Sequence, residues 1–156
     1  MSAPTESPAP RACTATAARV ARLRRGSFAV LMLVLAEYVI GMYVNLYVTV
    51  PKTDHGSGLG GQISTGPAWL SVHAVIGLLL AVGAVAVLAQ AVVIRHWGVT
   101  ALAAAGLLAV VFAAVAGTGF TSTGDTSASM AMAVLTAVAL GCYAASLYVP
   151  RSASRG

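Results

Sequence analysis

Few residues in this chain could do chemistry inside an apolar body, and two stand out. Glu37 sits in "VLAEYVIGMYVNLYVTVP" (34–51), and His73 sits in "AWLSVHAVIGLLLAVGAVAVLAQAVVI" (68–94). Both stretches are otherwise suited to hydrocarbon. A carboxylate there is costly unless it takes up a proton or finds a partner. Glu37 is therefore a candidate proton carrier or cation-binding group. The structural alternative is a protonated carboxyl that ties two helices together by a hydrogen bond. Gly41 and Asn45 follow at i+4 and i+8, so all three share one helix stripe.

His73 has two readings. It is a helix-pairing imidazole, or it is an axial ligand to haem b. Asn45 and His73 are each about five residues from the same end of their apolar runs. Antiparallel neighbours would bring them to one depth, and a hydrogen bond between them would fix the imidazole tautomer. Bis-histidine ligation needs a second imidazole in the bundle, but His55 and His96 lie outside the apolar runs. Met130 and Met132 fall near the depth of His73, and a His–Met pair is chemically sound for haem. Their structural reading is packing. Gln90 is expected to hydrogen-bond a neighbouring helix.

The remaining polar features point to structure. Asp54, His55 and Asp125 show no spacing typical of a metal site. Asp125, in "GDTSASM", is placed to cap a helix. The glycines of "TDHGSGLGG" follow no strand and are not completed by Gly-Lys-Ser/Thr, so they form no phosphate loop. Cys13 and Cys142 lie in unlike contexts, a polar tail and an apolar run, and make no disulfide framework. No catalytic residue is assigned, and the reading leans away from an enzyme.

The elements that must position Glu37 and His73 follow from composition. The 156 residues are 58% hydrophobic and 8% charged, against roughly 25% charged in soluble domains. So few charges cannot cover a surface that faces water, whereas a lipid bilayer requires an apolar exterior. Four runs reach the roughly 20 residues needed to cross: about 27–50, 68–94, 99–119 and 128–149. The first is longer than a signal-peptide core and reads as a retained span. Residues 1–26 form a basic tail expected to be disordered, with 16–25 able to become helical at the membrane, and 150–156 form a second tail. The expected fold is an all-α, up-down bundle of four transmembrane helices. Glycine and alanine within the spans suit close helix packing.

Eight arginines lie on one side of the spans (11, 19, 22, 24, 25, 95, 151 and 155), and Lys52 alone lies on the other. That imbalance predicts an inner (plasma) membrane protein with both termini in the cytoplasm and the 51–67 loop outside. The formal charge of +5 reads as topology rather than as a nucleic-acid face, because the arginines sit in tails and short loops.

Two resemblances add expectations. "LAEYVIG" around Glu37 resembles the first span of small multidrug resistance transporters. The resemblance implies a dimeric, proton-coupled carrier with Glu37 as its proton and drug carboxylate. "GMYVNLYVTVP", the Gly-rich loop and "GPAWLSVHAVIGLLL" together resemble one four-helix half of the haem A synthase and b-type cytochrome group, over roughly residues 30–95. They are also similar to small four-span membrane proteins of Ala-rich bacteria. This second resemblance implies a membrane subunit or cofactor-holding bundle with His73 central. A partner membrane protein or a homodimer belongs to these readings. A membrane redox enzyme is a third.

Overall fold

The computed structural model describes residues 9–47, 68–123 and 126–148. It contains four helices: α1 (Ala9–Tyr47), α2 (Ala68–Ile94), α3 (Trp97–Thr123) and α4 (Thr126–Ser146). Each is long and apolar enough to cross a membrane. Successive helices touch, α4 returns to α1, and the diagonal pairs barely meet. The result is an up-down four-helix bundle, as composition and span count predict.

The outside of the bundle is apolar. Val39, Leu46, Leu79, Val82, Val93 and Val115 are all exposed. In water these side chains would be driven inward, but in a bilayer they meet acyl chains at no cost. The buried positions are small or branched: Ala84, Ala91 and Ala103 are fully enclosed with Val34, Val87 and Val99. Helices in lipid are held by packing, and small residues let their backbones approach.

Helix boundaries differ from the expected spans for local reasons. α1 begins at Ala9, so the helix expected over 16–25 forms and extends back into residues 9–15, where a disordered tail was expected. The sequence "AARVARLRR" is built from strong helix formers, and nothing in it breaks the helix that Ser27 continues. The α2–α3 connection is only Arg95 and His96. Arg95 takes a left-handed conformation (φ 58°) and donates its N–H to the Val92 carbonyl at 3.0 Å. His96 then caps α3, its carbonyl accepting from Thr100 N–H at 3.0 Å and from Thr100 Oγ1 at 3.2 Å. α4 closes three residues before the expected end, in a tight turn where Leu147 and Tyr148 donate to the carbonyls of Ala144 and Ala145. Lys52, Asp54, His55 and Asp125 lie outside the described residues, as do Arg11 and Cys13 as side chains.

Candidate functional site

The register of α1 against α2 is set by two reciprocal clasps, each a side chain seated on a glycine of the other helix. In the first, Val87 covers Gly26 and Val30 covers Gly83. A Cβ added at either glycine would lie 3.3 Å from the facing valine Cγ2. In the second, Glu37 covers Gly77 and His73 covers Gly41. A Cβ at Gly77 would meet Glu37 Oε1 at 3.0 Å, and one at Gly41 would meet His73 Cε1 at 3.2 Å. Both clasps have one grammar. Gly26 and Val30 are four residues apart, as are Gly83 and Val87, Glu37 and Gly41, and His73 and Gly77. Residues at i and i+4 share a helix face, so antiparallel pairing offers each side chain the notch left by the other's glycine.

The second clasp joins the two candidate residues. His73 Nδ1 lies 3.1 Å from Glu37 Oε1, with the side chains only 22% and 13% exposed. The distance is within ion-pair range, but the N–H direction is not aligned on the oxygen. His73 Nδ1 and Glu37 Oε2 both remain without a hydrogen-bond partner. The expected His73–Asn45 hydrogen bond does not form. Asn45 faces α4 instead, where Ser129 Oγ donates to its Oδ1 at 3.4 Å. Depth counted from span ends gave the wrong partner, because the glycine notches, not the span ends, set the register.

A cavity of about 210 Å³ opens beside the pair. All four helices line it, and Glu37, Asn45, His73 and Met132 contribute to its wall. Small residues make the space: Ala74, Gly77, Ala81, Ala113 and Gly117 replace the larger side chains found deeper in the bundle. Ser129, Thr118 and Thr136 also reach the wall, although nothing in their spacing singles them out. Met130 does not reach it. It is 72% exposed on the outer face of α4. Met132 lies over Gly117, whose added Cβ would meet its Sδ at 3.2 Å. Gln90 belongs to the first clasp, about 3.9 Å from the Cβ position of Gly26, with Oε1 buried and unpartnered. Among the described residues no three His, Cys, Asp or Glu side chains gather as a metal site.

At the other end of the bundle Tyr143 takes the place of the cavity. It is completely buried, and its ring lies on Gly106, whose added Cβ would meet ring carbons at 2.9 Å. Its hydroxyl has no hydrogen-bond partner.

Fold and site together define a small integral membrane protein built on a four-span helical bundle with an acid–imidazole pair in its wall. Comparison with protein-family models, curated proteins and solved structures found no match.

Proposed function

We propose that this membrane protein binds a small, largely apolar molecule in its four-helix cavity and couples that binding to a proton held between Glu37 and His73, as a proton-linked carrier does. The observation that supports this reading is the 3.1 Å approach of His73 Nδ1 to Glu37 Oε1 in the wall of a cavity lined by all four helices. An ionisable pair inside a membrane bundle is expensive to keep, and such pairs mark proton relays and substrate paths. A ligand donor that approached Glu37 would compete with His73 for the carboxylate, and the proton would move as the ligand came and went. The arginine imbalance supports both termini in the cytoplasm of an inner-membrane protein, with the cavity in the outer half. Assembly as a homodimer, or with another membrane subunit, belongs to the same reading.

Proteoliposomes loaded with a pH-sensitive dye test the proposal. They are challenged with a panel of small apolar alcohols, phenols and amides, beside protein-free liposomes. Wild-type protein should move protons on addition of at least one compound, and Glu37→Gln should not. Silence from the wild type across the panel, or equal flux from the variant, would overturn it.

A second reading, a haem-holding bundle, draws on His73 and Met132 both lining the cavity. A carboxylate on Nδ1 is a common way to orient a ligating imidazole, leaving Nε2 for the metal. Size opposes it. Pockets for drug-sized molecules run to about 300–1,000 Å³, and at about 210 Å³ this cavity would admit a porphyrin only if the helices parted. Absorption spectra of purified protein, oxidised and reduced, decide between the two. A Soret band lost in His73→Ala would replace the carrier reading with the haem one.

A further inference from the structure

The glycine seats divide the bundle into two pairs of helices. Gly26, Gly41, Gly77 and Gly83 each take a side chain across the α1–α2 seam, and Gly106 and Gly117 take Tyr143 and Met132 across the α3–α4 seam. The cavity lies between these pairs, since all four helices line it. What crosses the α1–α4 seam beside it is a long hydrogen bond, from Ser129 Oγ to Asn45 Oδ1 at 3.4 Å. Bonds of this O–H···O type centre on about 2.7–2.8 Å.

The cavity wall reaches the outside of the bundle at two seams. Tyr38 and Met42 line the cavity and are also 38% and 39% exposed. They share a helix stripe with Asn45, at i, i+4 and i+7, so they border α4. Leu78 on α2 and Ala114 on α3 line the cavity as well, and both are exposed. Depth decides what these openings face. Glu37, next to Tyr38, is ten residues from Ser27 at the start of its apolar run, roughly 15 Å along a hydrocarbon core of about 30 Å. Gly77, next to Leu78, seats Glu37 and so lies at the same depth. Both openings therefore meet acyl chains rather than water. The two seams are not held alike. α2 and α3 are tied by the two-residue turn at Arg95 and His96, whereas α1 and α4 are the first and last of the four helices and are joined only through the other two.

We infer that the cavity is filled from the side, through the α1–α4 seam at Tyr38 and Met42, by a small apolar molecule already dissolved in the bilayer. The inference rests on the ligand-binding reading above and adds the source and route of the ligand. Each CH₂ of such a molecule favours the bilayer over water, so it is concentrated beside the seam before it binds. Met42 is unbranched and has several rotatable bonds, so its side chain swings aside without backbone movement. Glu37 and His73 both belong to the clasped pair. Parting α1 from α4 admits a ligand without separating them.

Thiol labelling tests the route. Cys13→Ser and Cys142→Ala remove the native thiols, and Ala81→Cys places one in the cavity wall. The protein is held in nanodiscs, with both membrane faces open to water. It is treated with methyl methanethiosulfonate, which dissolves in the bilayer, or with the water-confined sulfonatoethyl and trimethylammonioethyl analogues, and mass spectrometry follows the reaction. Trp97→Cys, at an exposed position, is the control that all three reagents should label. At Ala81→Cys, relative to that control, the charged reagents should be slower than the apolar one by about a hundredfold, because hydrocarbon excludes charge. Met42→Trp, which narrows the α1–α4 seam, should slow the apolar reagent severalfold, and Leu78→Trp on the other seam should not. Should a tryptophan variant fail to assemble, Met42→Ala and Leu78→Ala give the same comparison with the opposite sign. Charged reagents that keep pace at Ala81→Cys would overturn the inference and leave the ligand-binding reading standing. So would Leu78→Trp slowing the apolar reagent at least as much as Met42→Trp does. An Ala81→Cys thiol that no reagent reaches, while the control reacts, would overturn both.

Discussion

The two halves of the bundle are made from the same four helices yet are built differently. In the half near the Arg95–His96 turn, the axis is filled. Leu23, Val87, Ala91 and Val99 are buried there, and Tyr143 lies on Gly106. In the half near the 48–67 segment, Ala74, Gly77, Ala81, Ala113 and Gly117 face the axis and leave a cavity. What changes is whether the side chains that reach the axis fill it. Gly106 is filled by the Tyr143 ring, whereas Glu37 and the His73 ring seat on Gly77 and Gly41 beside a space that stays open. One half holds the fold together so that the other can remain hollow around two polar groups.

The largest test of this division is Tyr143→Ala. Removing the ring should cost up to about 3 kcal/mol, the low end for aromatic truncation, because a lipid-solvated reference lacks most of the water-transfer contribution. Denaturation in mixed micelles measures it, and an unchanged midpoint would show that the filled half does not carry the fold. Next comes a matched pair of enlargements one helical turn apart. Ala84→Leu, at a fully buried position, should cost about 1–3 kcal/mol. Ala81→Leu, in the cavity wall, should stay within about 0.5 kcal/mol while shrinking the binding space. Equal costs would erase the difference between the halves.

Gly41→Ala sharpens the comparison within the hollow half. Its Cβ would press on His73 Cε1 and should cost about 1–2 kcal/mol if the ring cannot yield. It should also loosen the His73–Glu37 contact, which a shift in the His73 ring signals by NMR would report. The smallest effect is expected at Arg95→Gly, in the turn that closes the filled half. A glycine relieves the left-handed backbone at φ 58°, so stability should rise by about 0.5–1 kcal/mol. A fall would mean that the arginine side chain contributes more than its backbone costs.

The four spans were legible in the sequence because hydropathy over about 20 residues is an additive property of the chain. Glu37 and His73 were legible for the same reason, as polar residues where the run forbids them. Their pairing was not read, although its signal was present. Glu37 with Gly41 and His73 with Gly77 repeat one spacing, and two such repeats on antiparallel helices interlock. Asn45 misled because its distance from a span end matched that of His73, and span ends are loose measures of register. Within 9–26 the helix over 16–25 was legible from its helix formers, while the extension back to Ala9 was hidden by Pro10, which a first turn tolerates. The cavity was not legible at all, since it depends on which small residues from four helices reach the same level.

The paired clasps between α1 and α2 also constrain how such a sequence can drift. A side chain at 77 requires Glu37 to give way by a few tenths of an ångström, and one at 41 requires the same of His73. The same bond of circumstance ties 26 to 87 and 83 to 30. Enlarging any of these four glycines alone meets an obstacle that a compensated double substitution does not. The acid and the imidazole are thus tied sterically to the two glycines that seat them, as a set of four.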